Sequence, residues 1–312
     1  MVSQVKKHRH ILILAMALLT VLFFIGGPDY HSSRSFKHFW NLGHILYFSL
    51  FPFLIVSFEC FRKQKPITQV SIIILAALLL GILVELGQSA FSRTPDTGDL
   101  FRNLIGAGVA LCFLLPVRKG FPSKLLRLLQ LILIILIGLQ IRPIAVALID
   151  EQHARNEFPV LSDFQSAQLD RWEGGGAISI EKDIGSRGNR AMRADLDTQL
   201  YSGFTLKYFP RNWKGYQWFQ FRIYNPSEEV IRITCRIHDK LHTQGPQLYA
   251  DRFNRTQSIP VGWHTITIPL DDVRMAPAGR EMDISQIYAV GFFATQLPHP
   301  RTIYIDDVRL IK

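Results

Sequence analysis

The stretch WFQFRIYNPSEEVIRITCRIHD, residues 218–239, decides how the second half of the chain folds. Before the proline, Phe219, Phe221 and Ile223 fall on one side and Gln220 and Arg222 on the other. After it, Ile231, Ile233, Cys235 and Ile237 alternate with Arg232, Thr234, Arg236 and His238. A period of two places alternate side chains on opposite faces, the mark of a strand with one face buried. HTITIPL (264–270), IYAVGFFAT (287–295) and RTIYIDDVRLI (301–311) repeat the pattern between Pro, Gly and Asp turns. With residues 191–196 and 203–209 the alternation predicts at least seven strands and no long helix. An antiparallel sandwich or jelly roll over residues 163–312 is the expected solution.

Upstream of residue 150 the pattern is different. Of the 312 residues, positions 1–149 hold 15 Lys and Arg against 5 Asp and Glu, whereas positions 150–312 hold 20 of each. The net charge of +10 therefore belongs to the apolar half, and the polar half keeps no basic excess for a nucleic acid. Five apolar segments, about 11–27, 39–58, 67–91, 100–117 and 125–148, predict five membrane spans. Ten cations (Lys6, Lys7, Arg9, Arg62, Lys63, Lys65, Arg118, Lys119, Lys124 and Arg127) precede the first span or follow the second and fourth. The other loops carry only Arg34, Lys37, Arg93 and Arg102. That bias predicts a cytoplasmic N-terminus and a periplasmic C-terminal half, with the first span retained because no small-x-small cleavage site follows it. The expected fold class is thus multi-domain: an α-helical transmembrane bundle of five spans (1–149), a polar linker punctuated by Pro159 (150–162), and an extracytoplasmic all-β jelly-roll sandwich (163–312).

Polar groups inside apolar spans are costly and so are the first place to seek function. His44 lies on the second span, Glu85 and Gln88 share a face at the end of the third, and Asp99, Asn103 and Gly106 share a face of the fourth. A loop with Arg93 and Asp96 joins the last two groups. The stretch ELGQSAFSRTPDTGDLFRNLIGAG (85–108) resembles the signature of VanZ-like membrane proteins at Glu85, Gln88, Arg93, Asp96, Asp99, Asn103 and Gly106. NLGHILYFSLFPF (41–53) resembles the earlier polar-then-aromatic helix of that family, with His44 in the polar place. The family usually shows a further glycine where Ala110 stands. The resemblance covers roughly residues 10–148 and implies a bacterial cell membrane protein linked to the envelope and to glycopeptide resistance; it implies no established chemistry. From the residues themselves, the cluster is either structural glue, with a Glu85–Arg93 pair and an Asn103 bond, or an outward pocket for a polar head group. In the pocket Arg93 would face phosphate or carboxylate. Glu85 with Asp99 would be its acid/base pair, but no nucleophile and no metal cage accompanies them.

The phrases LSDFQS (161–166), WKGYQWFQFRIYNP (213–226), RIHDKLH (236–242), YADRFN (249–254), GWHTITIPL (262–270) and IYIDDVRL (303–310) resemble the galactose-binding-like jelly roll of carbohydrate-binding modules, in order, over roughly residues 160–312. That resemblance implies glycan recognition, on a scaffold that also carries protein-binding and structural modules. Flat aromatic faces and planar polar side chains suited to a sugar are supplied by Trp213, Tyr249, Asp251, Arg252 and Asn254, with Arg236 and His238 on the polar face of their strand. Core or edge packing is the competing reading for Trp213 and the favoured one for Trp263, and an Asp251–Arg252 ion pair competes with ligand contact. His238, Asp239 and His242 have a metal-ligand look, but a strand entering a loop does not converge them. Asp163, Asp306 and Asp307 offer oxygen ligands for a structural Ca²⁺; no other cofactor is expected.

These readings predict a multi-pass envelope membrane protein whose partners are the bilayer and an envelope glycan or lipid-linked precursor. The competing readings are a membrane enzyme acting on such a precursor and a scaffold that binds only proteins.

Overall fold

The computed structural model describes residues 9–25, 27–29, 31–89, 96–165, 169–174, 176–186 and 190–312. It divides into two compact units, Met1–Leu148 and Ile149–Lys312.

The first unit is helical. Its helices are α1 (Arg9–Val21), α2 (Arg34–Val56), the single turn α3 (Glu59–Arg62), α4 (Pro66–Ser89), α5 (Thr97–Val109) and α6 (Ser123–Glu157). Among the described residues four helices are long and apolar enough to cross a membrane, namely α2, α4, α5 with its extension, and α6. The first expected span is shorter than predicted, because α1 has 13 residues. Local chemistry fixes several starts. The Ser33 hydroxyl accepts the Phe36 N–H and begins α2 five residues ahead of the expected span; the Asp96 carboxylate accepts the Gly98 N–H and begins α5 at Thr97. Pro66 opens α4, where its missing N–H costs nothing.

α5 does not end at Val109. It continues as a π-turn over Ala110–Leu114, with the Leu115 N–H reaching the Ala110 carbonyl at 2.8 Å. A π-turn leaves carbonyls without helical partners. Gln130 of α6 donates to the Cys112 carbonyl at 2.9 Å and Arg118 donates to that of Phe113, so the wide turn is closed by side chains. Gly106 lets α5 touch α2, since a Cβ there would stand 2.5 Å from the Ile45 carbonyl oxygen.

The second unit is a β-sandwich with all strand pairs antiparallel. One sheet runs β3 (Ile178–Lys182), β4 (Arg190–Leu196), β11 (Arg301–Ile311), β6 (Trp218–Asn225) and β9 (Gly262–Pro269), with β1 (Val160–Ser162) also paired to β11. The other runs β2 (Trp172–Gly174), β5 (Tyr201–Leu206), β10 (Ile287–Thr295), β7 (Ile231–Asp239) and β8 (Phe253–Ile259). Two single turns, α7 (Lys240–Gln244) and α8 (Leu270–Arg274), follow β7 and β9. Between the sheets lie Trp172, Phe204, Phe219, Phe221 and Phe292, each worth about 2 kcal/mol or more in buried apolar surface.

Residues 150–162 do not form the expected polar linker. α6 stays helical to Glu157, and Val160–Ser162 joins the sheet against β11. The cause is Arg171, which is fully buried and needs an anion. Its guanidinium bonds the Asp150 carboxylate at 2.9–3.2 Å, stands 3.6 Å from Glu157, and donates to the Leu161 carbonyl at 3.1 Å. Asp150 and Glu157 are seven residues apart, so one face of helix presents both.

Candidate functional site

Among the described residues, polar side chains gather in both units. In the helical unit α2 supplies His44, α4 supplies Glu85, and α5 supplies Asp99 and Asn103. His44, Glu85 and Asp99 are all buried, and one ligand atom from each lies within 4.8 Å of the others. His44 Nδ1 is 2.9 Å from Asn103 Oδ1, and His44 Nε2 is 3.3 Å from Asp99 Oδ2. Glu85 Oε2 accepts the Asp96 N–H at 3.0 Å, while Glu85 Oε1 is buried without a hydrogen-bond partner.

The expected membrane cluster is therefore brought together in part. Gln88 turns away, donating to the Phe23 carbonyl at 3.0 Å. Arg93 lies outside the described residues. Among the described residues, the guanidinium that reaches the acids is Arg102, a residue the sequence offered only as a loop charge. It donates to Asp99 Oδ1 and to Asp96 Oδ2 (3.2 Å), and its Nε bonds Gln140 of α6 at 3.1 Å. Position i+3 from Asp99 is the signal that would have found it.

In the sandwich two of the predicted glycan residues, Trp213 and Asp251, are engaged elsewhere. Trp213 is fully buried, its ring stacked on Phe219 at 5.4 Å and 9°, so it is core and presents no face to a sugar. Asp251 pairs with Arg280, through Nε at 2.6 Å, and with His242 Nδ1 at 3.2 Å, and not with Arg252. The three acids expected to hold Ca²⁺ each have other partners. Asp306 accepts the Ser186 N–H and hydroxyl at 2.8 and 2.7 Å, Asp307 pairs with Arg309, and Asp163 accepts the Gln165 N–H.

The remaining candidates share the outer face of the second sheet. Arg236 lies over Gly291, whose added Cβ would stand 3.1 Å from its guanidinium, and its strand partner is Asn254. Arg252 is 5.4 Å from the ring of Tyr249, which is 69% exposed. His238 is buried between His242 and Tyr288, ring centroids 4.9 and 5.9 Å away. Burial, with the Arg236, His242 and Arg252 charges added, pushes the His238 pKa down to about 3 and keeps the ring neutral.

The outer face of the six-stranded sheet carries a set the sequence reading passed over. Tyr304 of β11, Tyr224 of β6 and Trp263 of β9 stand directly opposite one another across three strands. Their ring centroids are 5.7 and 5.3 Å apart. Arg193 of β4 continues the row beyond Tyr304, so the four positions span about 14 Å at ~4.8 Å per strand. Arg222 lies beside Trp263 (5.8 Å) and donates to the Ser186 carbonyl; Asp195 bonds Arg193 and Thr302; Gln220 bonds Thr267. Tyr224 and Trp263 are half-buried and Tyr304 lies mostly covered beneath the row. The signal was present: all three rings occupy the polar phase of strands whose other phase faces the core.

No protein-family model matches the chain, and no curated protein matches it. Among solved structures it is similar to an exo-beta-agarase at 18% identity and a TM-score of 0.40, over 48% of this chain and 24% of the agarase. It is also similar to the family 11 carbohydrate-binding module from Clostridium thermocellum in complex with a beta-1,3-1,4-mixed-linked tetrasaccharide, at 18% identity and a TM-score of 0.37, over 49% of this chain and 94% of the module. A solution structure of CtCBM11 shows 19% identity and a TM-score of 0.38 over 49% of this chain and 93% of that one. The chain thus spans about a quarter of the agarase. Likeness of this degree carries no argument about a ligand; the sandwich stands on its own strand order.

Proposed function

We propose that this is a membrane-anchored glycan-recognition protein of the bacterial cell envelope, with its N-terminus cytoplasmic and its sandwich outside the membrane. Four long apolar helices and the cation bias of the loops support the anchor and its orientation. The observation that carries recognition is the row Tyr304–Tyr224–Trp263 on the outer face of the six-stranded sheet. Tyr224 and Trp263, half-buried on the solvent phase of adjacent strands and backed by the covered Tyr304, give an apolar strip, and Arg193, Asp195, Gln220 and Arg222 beside it supply planar hydrogen-bonding groups. Alternating apolar and planar polar contacts are what a pyranose ring offers on its faces and edges.

The test is co-sedimentation of the full chain, held in lipid nanodiscs, with insoluble envelope polysaccharides. Tyr224→Ala and Trp263→Ala are each expected to weaken binding at least tenfold while leaving the unfolding midpoint of the sandwich within a few degrees. Arg252→Ala and Tyr249→Ala leave binding intact. The reverse pattern would move the site to the other sheet, and no binding to any fraction by a folded protein ends the glycan reading in favour of a protein partner. Trp213→Ala acts on the fold instead, costing about 3–5 kcal/mol as a buried aromatic truncated in a packed core.

A further inference from the structure

The buried cluster of the helical unit has a feature that hydrogen bonding among its own members leaves open. The Asn103 carbonyl oxygen 2.9 Å from His44 Nδ1 requires that nitrogen to carry the proton. The neutral imidazole then presents a lone pair at Nε2, and it faces a carboxylate oxygen, Asp99 Oδ2, at 3.3 Å. Two acceptors at that distance need a positive charge between them. A proton would join His44 to Asp99, but it would leave Glu85 Oε1 buried and without a donor. Glu85 is 7% exposed, and a carboxylate oxygen of it belongs to the same group of converging atoms.

We propose that His44 Nε2, Glu85 Oε1 and Asp99 Oδ2 bind a divalent transition-metal ion of the Zn²⁺ class. Each ligand already has its second polar atom held by another group. Asn103 holds His44 Nδ1, the Asp96 N–H holds Glu85 Oε2, and Arg102, itself fixed by Gln140, holds Asp99 Oδ1. Second partners of this kind orient metal ligands and set the histidine tautomer. One ligand atom from each of the three residues lies within 4.8 Å of the others, and around a tetrahedral Zn²⁺ with bonds of about 2.1 Å such atoms stand about 3.4 Å apart, so small side-chain rotations close the site. One imidazole and two carboxylates suit Zn²⁺ or Mn²⁺; Ca²⁺ asks for six or more oxygens. Charge agrees, since among the described residues Asp96 and Asp99 share the guanidinium of Arg102, and Glu85 adds a third carboxylate beside them. Three protein ligands leave a coordination position for water or for an oxygen of an anionic ligand. The sequence predicted no metal cage here; packing of α2 on α5 sets His44 against Asp99 and Asn103.

The experiment uses the full chain in detergent, purified without a histidine tag, stripped with chelator and then offered Zn²⁺ or Co²⁺. The expected result is one ion per chain retained through gel filtration, visible ligand-field bands for Co²⁺, and a Zn²⁺-dependent rise in unfolding temperature. Glu85→Gln and Asp99→Asn each weaken retention at least tenfold, and Glu85→Gln does so with unchanged unfolding temperature in the stripped state. His242→Ala, which removes the sandwich histidine nearest to paired carboxylates, leaves it unchanged. A stripped wild type that retains no ion overturns the proposal without any variant. So does retention that survives Glu85→Gln or is lost in His242→Ala.

Discussion

The two units each contain a knot of acids around an arginine and a histidine, and the two knots differ in how completely they are filled. In the sandwich, Arg280 donates to both oxygens of Asp239 (2.6 and 2.9 Å) and to both oxygens of Asp251 (2.6 and 3.0 Å). The Asp283 and His242 N–H groups complete Asp239, and His242 Nδ1 completes Asp251. No carboxylate oxygen there lacks a donor. In the helical unit, among the described residues, Asp96 and Asp99 share the Arg102 guanidinium, and Glu85 Oε1 and Asn103 Nδ2 are buried without partners. A satisfied buried network holds a fold together; an unsatisfied one is kept at a cost in stability and needs a reason outside the chain. Residue composition does not separate the two cases. The count of filled lone pairs does.

The largest effect expected from this contrast is at Arg280. Its loss strands Asp239, which is completely buried, and Arg280→Ala should cost the sandwich about 3–5 kcal/mol. Four of the five tryptophans lie in the sandwich, so denaturant unfolding followed by tryptophan fluorescence reads it. A loss below ~1 kcal/mol would mean that the knot is not the lock it resembles. Acid tests the same unit through protons. His238 is held neutral to about pH 3 in the fold, whereas in the unfolded chain it titrates near its ordinary 6.5. The unfolded state therefore takes up the extra proton, and stability falls as the pH drops below 6.5, by about 3 kcal/mol by pH 4. Burial pushes the Asp239 carboxyl up, but its bonds to Arg280, Asp283 and His242 outweigh that and hold it below the ordinary range; Asp251 is held down chiefly by Arg280. These two acids stabilise above the unfolded carboxylate range and lose that contribution only as the pH falls below about 4, through their depressed values. His238→Gln should flatten the first fall and leave the second.

The alternation of residues 218–239 and its repeats made the sandwich legible, because a period of two has one structural meaning when one face is apolar. The polar spans made Glu85, Asp99 and Asn103 legible, because hydrocarbon leaves such residues few uses. What was hidden has a common physical cause. Trp213 sits in an irregular approach to β6, where no period tells inside from outside, and only the tertiary packing on Phe219 buries it. Arg280 lies 41 residues from Asp239 in an irregular segment, and its pairing depends on how the loops above the sheets meet. Tyr224, Trp263 and Tyr304 were individually readable as outward-facing, but their alignment depends on register, fixed only when β11, β6 and β9 pair. The continuation of α6 to Glu157 was masked by polar residues that read as a linker until the buried Arg171 is seen between Asp150 and Glu157.

The smallest expected effect is the most telling for the contrast. In metal-free protein, Glu85→Gln should change the stability of the helical unit by no more than about 1 kcal/mol, measured by thermal unfolding in detergent. The amide keeps an oxygen to accept the Asp96 N–H, and it turns a donor toward the region where the carboxylate offered only a lone pair. It also removes one negative charge from the group formed by Glu85, Asp96 and Asp99, so any change should lean toward stabilisation. Near-neutrality alongside a severe Arg280→Ala defect would set an unfilled site against a structural lock within one chain. A loss of 3 kcal/mol or more would mean that the Glu85 carboxylate is already satisfied as it stands, that both knots are glue, and that the buried acids of the helical unit need no ion to explain them.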